Sequence, residues 1–246
     1  MFGVLEPGTL ERVVVVSPHF DDAALGASCV LFANPGSTVI TVCAGKPPEY
    51  PAEPTEWDAL GGFKAGDDVV EIRREEDRAA MKELGDAEPV WLDFVDWQYL
   101  TPRATPEQVA DAIEPAARAV GPTAVFVPMG IANPDHELTQ DGARLVIDRM
   151  PEVAWFTYED SGYKHIPGML AWRISKLFHS GLWPTPAVVP APPDYERKRR
   201  AMECYKSQLG PLERDHGLSI RLGAPVPEQY WRLAPPPKGW ERLTER

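Results

Sequence analysis

Three things are scarce in this 246-residue chain, and each scarcity removes a class of function. Cysteine is the first. Only Cys29, Cys43 and Cys204 occur, far apart and with no Cys-x-x-Cys pair. Neither a disulfide framework nor a thiolate zinc site is indicated, and Cys29 and Cys43 read as small core residues. Basic charge is the second, with 25 Lys and Arg against 37 Asp and Glu, a formal net charge of −12 and a pI near 4.9. Nucleic acid and anionic membranes favour clustered Lys and Arg, so neither is an expected partner. The run Arg197-Lys198-Arg199-Arg200 is short and flanked by acidic residues, and reads as a solvated helix face. Long apolar runs are the third. None approaches the roughly 18 residues of a membrane helix, and no basic region followed by an apolar stretch opens the chain. The expected location is the cytoplasm.

Proline, by contrast, is abundant: 27 residues, about twice the usual share, gathered at 47–54, 184–193 and 225–237. These are punctuation rather than repeats, and the last cluster is expected along the surface. Between them apolar runs alternate with helical patterns in the way a parallel sheet demands. Strands are expected near 13–16, 38–42, 90–92, 123–127 and 153–156, and helices near 22–32, 68–84, 106–120 and 135–150. The pattern predicts one α/β domain over 1–246, with a Rossmann-like, open, mostly parallel sheet, helices on both faces, and a Pro-rich C-terminal segment from about residue 209. No Gly-x-Gly-x-x-Gly follows the first strand, which sets a dinucleotide-binding protein aside.

The chemistry concentrates where strands end. Val13-Val14-Val15-Val16 reads as a strand buried on both faces, and it runs into Ser17-Pro18-His19-Phe20-Asp21-Asp22. Ligands of open α/β sheets bind outside the carboxyl ends of strands. A capping role for Asp21 or Asp22 is the plain alternative, although two carboxylates beside a histidine exceed what a cap needs. The strand at 123–127 runs similarly into Asn133-Pro134-Asp135-His136 and a helix, so His136 stands at another strand-to-helix turn. The irregular stretch 45–67 follows the second strand and carries Tyr50, Trp57 and Phe63. Such loops shape binding sites, and two roles fit the aromatics: a platform for a sugar ring, or pins that hold the loop to the body.

Taken together, the two turns resemble the PIG-L/LmbE-like family of zinc-dependent N-deacetylases, whose hallmarks are a His-x-Asp-Asp turn after the first strand and a later His-x-Asp-His loop. His19, Phe20, Asp21 and Asp22 match the first. The second is matched in part, with Asn133 where the family has its first histidine. Arg73-Arg74-Glu75-Glu76 looks like the family's Arg-x-Glu-Glu helix, and Tyr205-Lys206-Ser207-Gln208 like its C-terminal Ser-Gln motif. Four motifs in order, from Val13 to Gln208, are more specific than any one alone.

The resemblance implies a fold, a metal and a reaction. His19, Asp22 and His136 would ligate zinc, a three-ligand set of the catalytic kind, and zinc makes hydroxide available at neutral pH. Asp21 would be the general base. The substrate would be a small molecule bearing an N-acetylated or related N-acylated amino sugar. Arg73 and Asp96 would contact it, with a helix-surface ion pair and a turn cap as their respective alternatives. Ala23 stands where the family commonly has Glu. Asn133 is the weightier departure, because an amide donates a hydrogen bond but transfers no proton; the chain would then be slower, or Asp21, His165, His179 or His216 would serve as acid. The departure also keeps open a non-catalytic relative that binds a sugar-like ligand. A homo-oligomer is compatible with the sequence.

Overall fold

The computed structural model describes residues 5, 8–223, 227–236 and 239. In chain order the first half runs β1 (Val13–Ser17), α1 (Asp22–Gly26), α2 (Ser28–Ala33), β2 (Thr38–Thr41), α3 (Glu56–Leu60), α4 (Val69–Glu83), β3 (Glu88–Trp91) and α5 (Pro106–Val120). The second half runs β4 (Ala124–Pro128), α6 (Pro134–Arg149), β5 (Ala154–Tyr158), α7 (Met169–His179), β6 (Trp183–Ala187), α8 (Tyr195–Cys204), α9 (Lys206–His216), α10 (Leu218–Gly223) and β7 (Tyr230–Ala234). No helix among the described residues is long and apolar enough to cross a membrane.

One seven-stranded sheet has the order β3-β2-β1-β4-β5-β7-β6. The pairings from β3 to β5 are parallel; β7 is antiparallel to β5, and β6 to β7. The four consecutive valines of β1 now have a reason. Val13 and Val15 enter the core on one face of the sheet, with Leu31, Met81 and Phe156, while Val14 and Val16 enter the other, with Ile113, Val127 and Ile147. A strand buried on both faces has no polar side, so it cannot alternate.

The structure departs from the sequence-based expectation in several places; α3, within the stretch read as irregular, and α7, α9 and α10 were not among the expected helices. The first helix is two, α1 and α2, broken at Ala27 (φ −134°). Beside the break, Gly26 permits close packing, since a Cβ at that position would lie 2.4 Å from Tyr158 Cδ2. Two strands, β6 and β7, were not expected. Both lie in segments dominated by proline, and the stretch expected to run along the surface contributes β7, which is hydrogen-bonded on both sides within the sheet. Pro184 and Pro186 are tolerated because β6 is the last strand, where a missing N–H costs no ladder bond. Finally, the basic run on α8 is less solvated than expected. Lys198 Nζ donates to Glu228 Oε1 (2.7 Å) and Leu25 O (2.6 Å), Arg197 donates to Glu83 O (2.8 Å), and Arg200 to Glu83 Oε2 (3.1 Å).

The expected helices that match best carry their own stop and start signals. Thr105 and Gln108 form a capping box at the start of α5, Pro106 occupies its first turn, and Gly121 ends it in the left-handed region (φ 64°). Behind the loop from β4 to α6, the fully buried Arg173 of α7 acts as a brace. Its Nε donates to Met129 O (2.8 Å), and its Nη2 donates to Gln140 Oε1 and to Asp141 Oδ1 (2.8 Å). Removing one partner of a buried charged network leaves the others desolvated and unpaired. Arg173→Met should therefore cost about 3 kcal/mol, read as a fall in Tm of roughly 6–12 °C for a chain of this size. An unchanged Tm would show that the loop does not need this brace.

Candidate active site

β1 and β4 are neighbours at the point where the strand order reverses, and their outgoing turns diverge over the carboxyl edge of the sheet. That is the crevice in which doubly wound folds place their ligands. The β1 turn is held by Ser17, whose Oγ donates to His19 O (2.6 Å) and accepts from Ala23 N (3.0 Å). Neither Asp is an ordinary cap: Asp21, at the N-cap position of α1, makes no capping bond. Asp22 Oδ2 instead accepts from the backbone N of His19 (2.9 Å) and lies 3.2 Å from His19 Nδ1 and 3.1 Å from His136 Nε2.

His136 sits in the first turn of α6, whose cap is Asn133: Asn133 Oδ1 accepts from Asp135 N (2.8 Å). The two imidazoles approach to 5.2 Å between centroids. Each has its far nitrogen on a further carboxylate, His19 Nε2 on Asp135 Oδ2 (3.2 Å) and His136 Nδ1 on Asp160 Oδ1 (2.7 Å). Asp135 also accepts from Trp97 N (2.9 Å), and Asp160 from Ile131 N (2.9 Å). Carboxylates so placed fix ring orientation and turn the near nitrogens, His19 Nδ1 and His136 Nε2, toward Asp22 Oδ2, where the three atoms together can bind a cation.

Electrostatics point the same way. Burial opposes charge on His136, yet Asp22 and Asp160 outweigh it and raise its pKa to about 9. His19 is only partly buried; desolvation opposes its charge too, but its bonds to Asp135 and Asp22 overcome this and lift its pKa well above the usual value. Burial would push Asp22 up, but the two histidines overcome it and hold the carboxyl well below the ordinary range. For Asp21, burial and the neighbouring Asp22 outweigh the pull of His19 and Arg73 and raise it to about 7. Four carboxylates around two imidazoles make a pocket that attracts positive charge. Ligand atoms of His19, Asp22 and His136 lie within 4.8 Å of one another and can hold a metal; a second group, His19, Cys43 and Asp135, meets the same spacing. Two nitrogens and one carboxylate oxygen suit zinc, with room left for water and substrate.

A cavity of about 380 Å³ opens above this cluster. Within the expected range for a small-molecule site, it is lined by the cluster together with Trp57, Asp96, Tyr99, Asn133, Tyr163 and His216. The loop aromatics divide the two expected roles. Trp57 faces the cavity, its Nε1 donating to Gln208 Oε1 (2.9 Å). Tyr50 pins the loop, donating to Asp68 Oδ1 (3.2 Å) and accepting from Val70 N (3.0 Å), and Phe63 is buried under the Arg73 guanidinium (5.3 Å). Arg73 lines the cavity, but its Nη2 is committed to Asp58 Oδ1 (2.8 Å), whose other oxygen takes the Tyr99 hydroxyl (2.9 Å). Asp96 accepts from Gln98 N (3.0 Å) and Gln98 Nε2 (2.7 Å), the turn-cap role, while lining the cavity as well.

Of the alternative acids, His216 reaches the cavity wall, His165 lines a smaller neighbouring one, and His179 is engaged with Ser175 on α7. Two residues of the site escaped the sequence reading. Asp160 and Tyr163 follow β5, a third strand ending at the same edge, and applying the strand-end rule to Tyr158-Glu159-Asp160 would have found the first of them. Burial pushes Tyr163 up to about 12, which leaves it a neutral hydroxyl.

Comparison with known proteins places this geometry. The family described as GlcNAc-PI de-N-acetylase (PIG-L) matches residues 14–147, more than half of the chain. No curated protein matches the chain in sequence. Among solved structures, the zinc-inhibited form of teicoplanin deacetylase is 26% identical with a TM-score of 0.72, over 93% of this chain and 100% of that one. A deacetylase of the A40926 pseudoaglycone is 25% identical with a TM-score of 0.67, over 92% and 98%. The 4-carboxy-2-hydroxymuconate hydratase of Pseudomonas putida KT2440, 21% identical with a TM-score of 0.50 over 92% and 97%, shares the fold. With the family match spanning both turns of the cluster, the chain belongs to the PIG-L (GlcNAc-PI de-N-acetylase) family of N-deacetylases.

Proposed function

We propose that this chain is a zinc-dependent hydrolase that removes an N-acetyl or related N-acyl group from a small molecule containing an amino sugar. The observation that carries the reading is the convergence of His19 Nδ1, Asp22 Oδ2 and His136 Nε2 beneath an open cavity, with the buried carboxylate of Asp21 beside them. His19, Asp22 and His136 would hold the zinc, which would supply Lewis acidity and lower the pKa of a water at the site. Asp21 takes a proton from the attacking water and returns it to the departing nitrogen. Its environment suits the task, because a base works best with a pKa near the working pH. Trp57 and Tyr99 offer flat faces for a sugar ring, and Arg73 and Asp96 line the same space. The half-exposed Trp97 and the exposed Leu100 at the cavity's rim would accept an apolar group attached to the sugar.

A binding-only relative is the second reading, and Asn133 in place of the family histidine is what favours it. The shared fold of a hydratase shows that this scaffold is not tied to one reaction. An acetate-release screen over N-acetylated amino sugars and their conjugates, with zinc present, separates the two. Release above background supports the hydrolase; persistent ligand binding with no release on any acetamide favours the binder.

Titrated with zinc, metal-free protein should take up one ion per chain, and His19→Ala, Asp22→Ala and His136→Ala should each lower that occupancy. Full occupancy in all three would overturn the ligand assignment. Asp160→Ala should weaken zinc about 10- to 100-fold in competition with a chelator, since carboxylates behind ligating histidines contribute on that scale. Asp21→Ala should keep its zinc and lose about 10²- to 10⁴-fold in turnover, the usual worth of a general base; normal turnover would move the base elsewhere.

A further inference from the structure

Asn133 is held by a bond that decides which end of its amide is which. Its Oδ1 accepts the Asp135 N–H at the head of α6, so Nδ2 must face the other way, where it donates to Tyr163 Oη at 3.0 Å. A phenol has one hydrogen to give. With the Asn133 amide occupying an acceptor position of Oη, that hydrogen points elsewhere, and among the described residues no acceptor takes it. The Tyr163 ring is fixed edge-on between His136 (5.2 Å, 81°) and His216 (5.0 Å, 77°) and lines the cavity over the His19–Asp22–His136 cluster. A hydroxyl whose direction is set, whose hydrogen is unspent, and which borders the reacting groups is a donor awaiting an acceptor.

We propose that Tyr163 donates this hydrogen bond to the substrate carbonyl oxygen as it becomes an oxyanion, and that Asn133 is the residue that positions Tyr163 to do so. The inference rests on the deacetylase reading. When water adds to the carbonyl carbon, the C=O electron pair moves onto the oxygen that the Tyr163 hydroxyl faces. It returns as the C–N bond breaks, the nitrogen gains a proton, and carboxylate and free amine leave. Tyr163 keeps its own proton throughout. Asn133 thus replaces a histidine without taking over its proton chemistry: it acts through the tyrosine to which it is hydrogen-bonded.

Tyr163→Phe keeps the ring packing and removes the donor. It should lower kcat about 10²- to 10³-fold, with KM within about threefold and zinc content unchanged. Asn133→Asp keeps the acceptor that caps α6 but turns the bond around, so that the Tyr163 hydroxyl donates to the new carboxylate; it should lower kcat comparably. In the Tyr163→Phe background, Asn133→Asp should add nothing further. A Tyr163→Phe enzyme as fast as the parent, or losses that multiply in the double variant, would overturn the proposal while leaving the deacetylase reading intact.

Calorimetry with a tetrahedral mimic, an N-methylphosphonyl glucosamine, gives a readout that needs no turnover. Tyr163→Phe should weaken it about 100-fold and N-acetylglucosamine less than threefold; equal losses for both would also overturn the proposal. A parent protein that neither releases acetate nor binds the mimic overturns the deacetylase reading, and the proposal with it.

Discussion

A single oxygen, Asp22 Oδ2, joins the two halves of this molecule's site. It holds the β1 turn through the His19 N–H and meets an imidazole from each of two divergent turns. Such an arrangement is costly without a cation, because burying several carboxylates near one another is repaid only by opposite charge. The fold accepts the cost because the sheet reverses its strand order there, so two strand ends can aim side chains at one point without either chain crossing the other. Everything around the oxygen follows from that demand. Asp135 and Asp160 turn the rings, Ser17 closes the first turn, and Arg173 supports the second from behind.

Much of this was legible in the residues themselves. The valine run at 13–16 announced a strand with two buried faces, and the polar burst after it announced the site. The helix expected near 106–120 spans those residues as α5. What was not legible depended on tertiary distance. The glycine at 26 is needed because Tyr158, 132 positions later, packs into the space that a side chain would fill. β6 and β7 were hidden because their prolines read locally as loop, and only their places in the sheet make prolines acceptable. Arg73 shows the converse. Its position by the cavity was readable, but its commitment to Asp58 depends on a loop whose course no local pattern gives.

The same distinction explains Asn133. As a letter in a motif it is a defect, an amide where proton chemistry is expected. In the structure it is a cap with two defined ends, tied to Asp135 on one side and Tyr163 on the other. Whether a substitution weakens a site depends on the neighbours it recruits, and those neighbours come from another strand.

The prolines of the outer strands carry one more consequence. β3 holds Pro89 and β6 holds Pro184 and Pro186, so both margins of the sheet lack backbone donors at those positions. In β6 the two prolines are spaced by two, so both their nitrogens lie on the side away from β7. A neighbouring chain seeking to extend the sheet finds no continuous row of N–H groups at either margin. Among the described residues, both margins of the sheet therefore disfavour strand-to-strand pairing with a second copy of the chain.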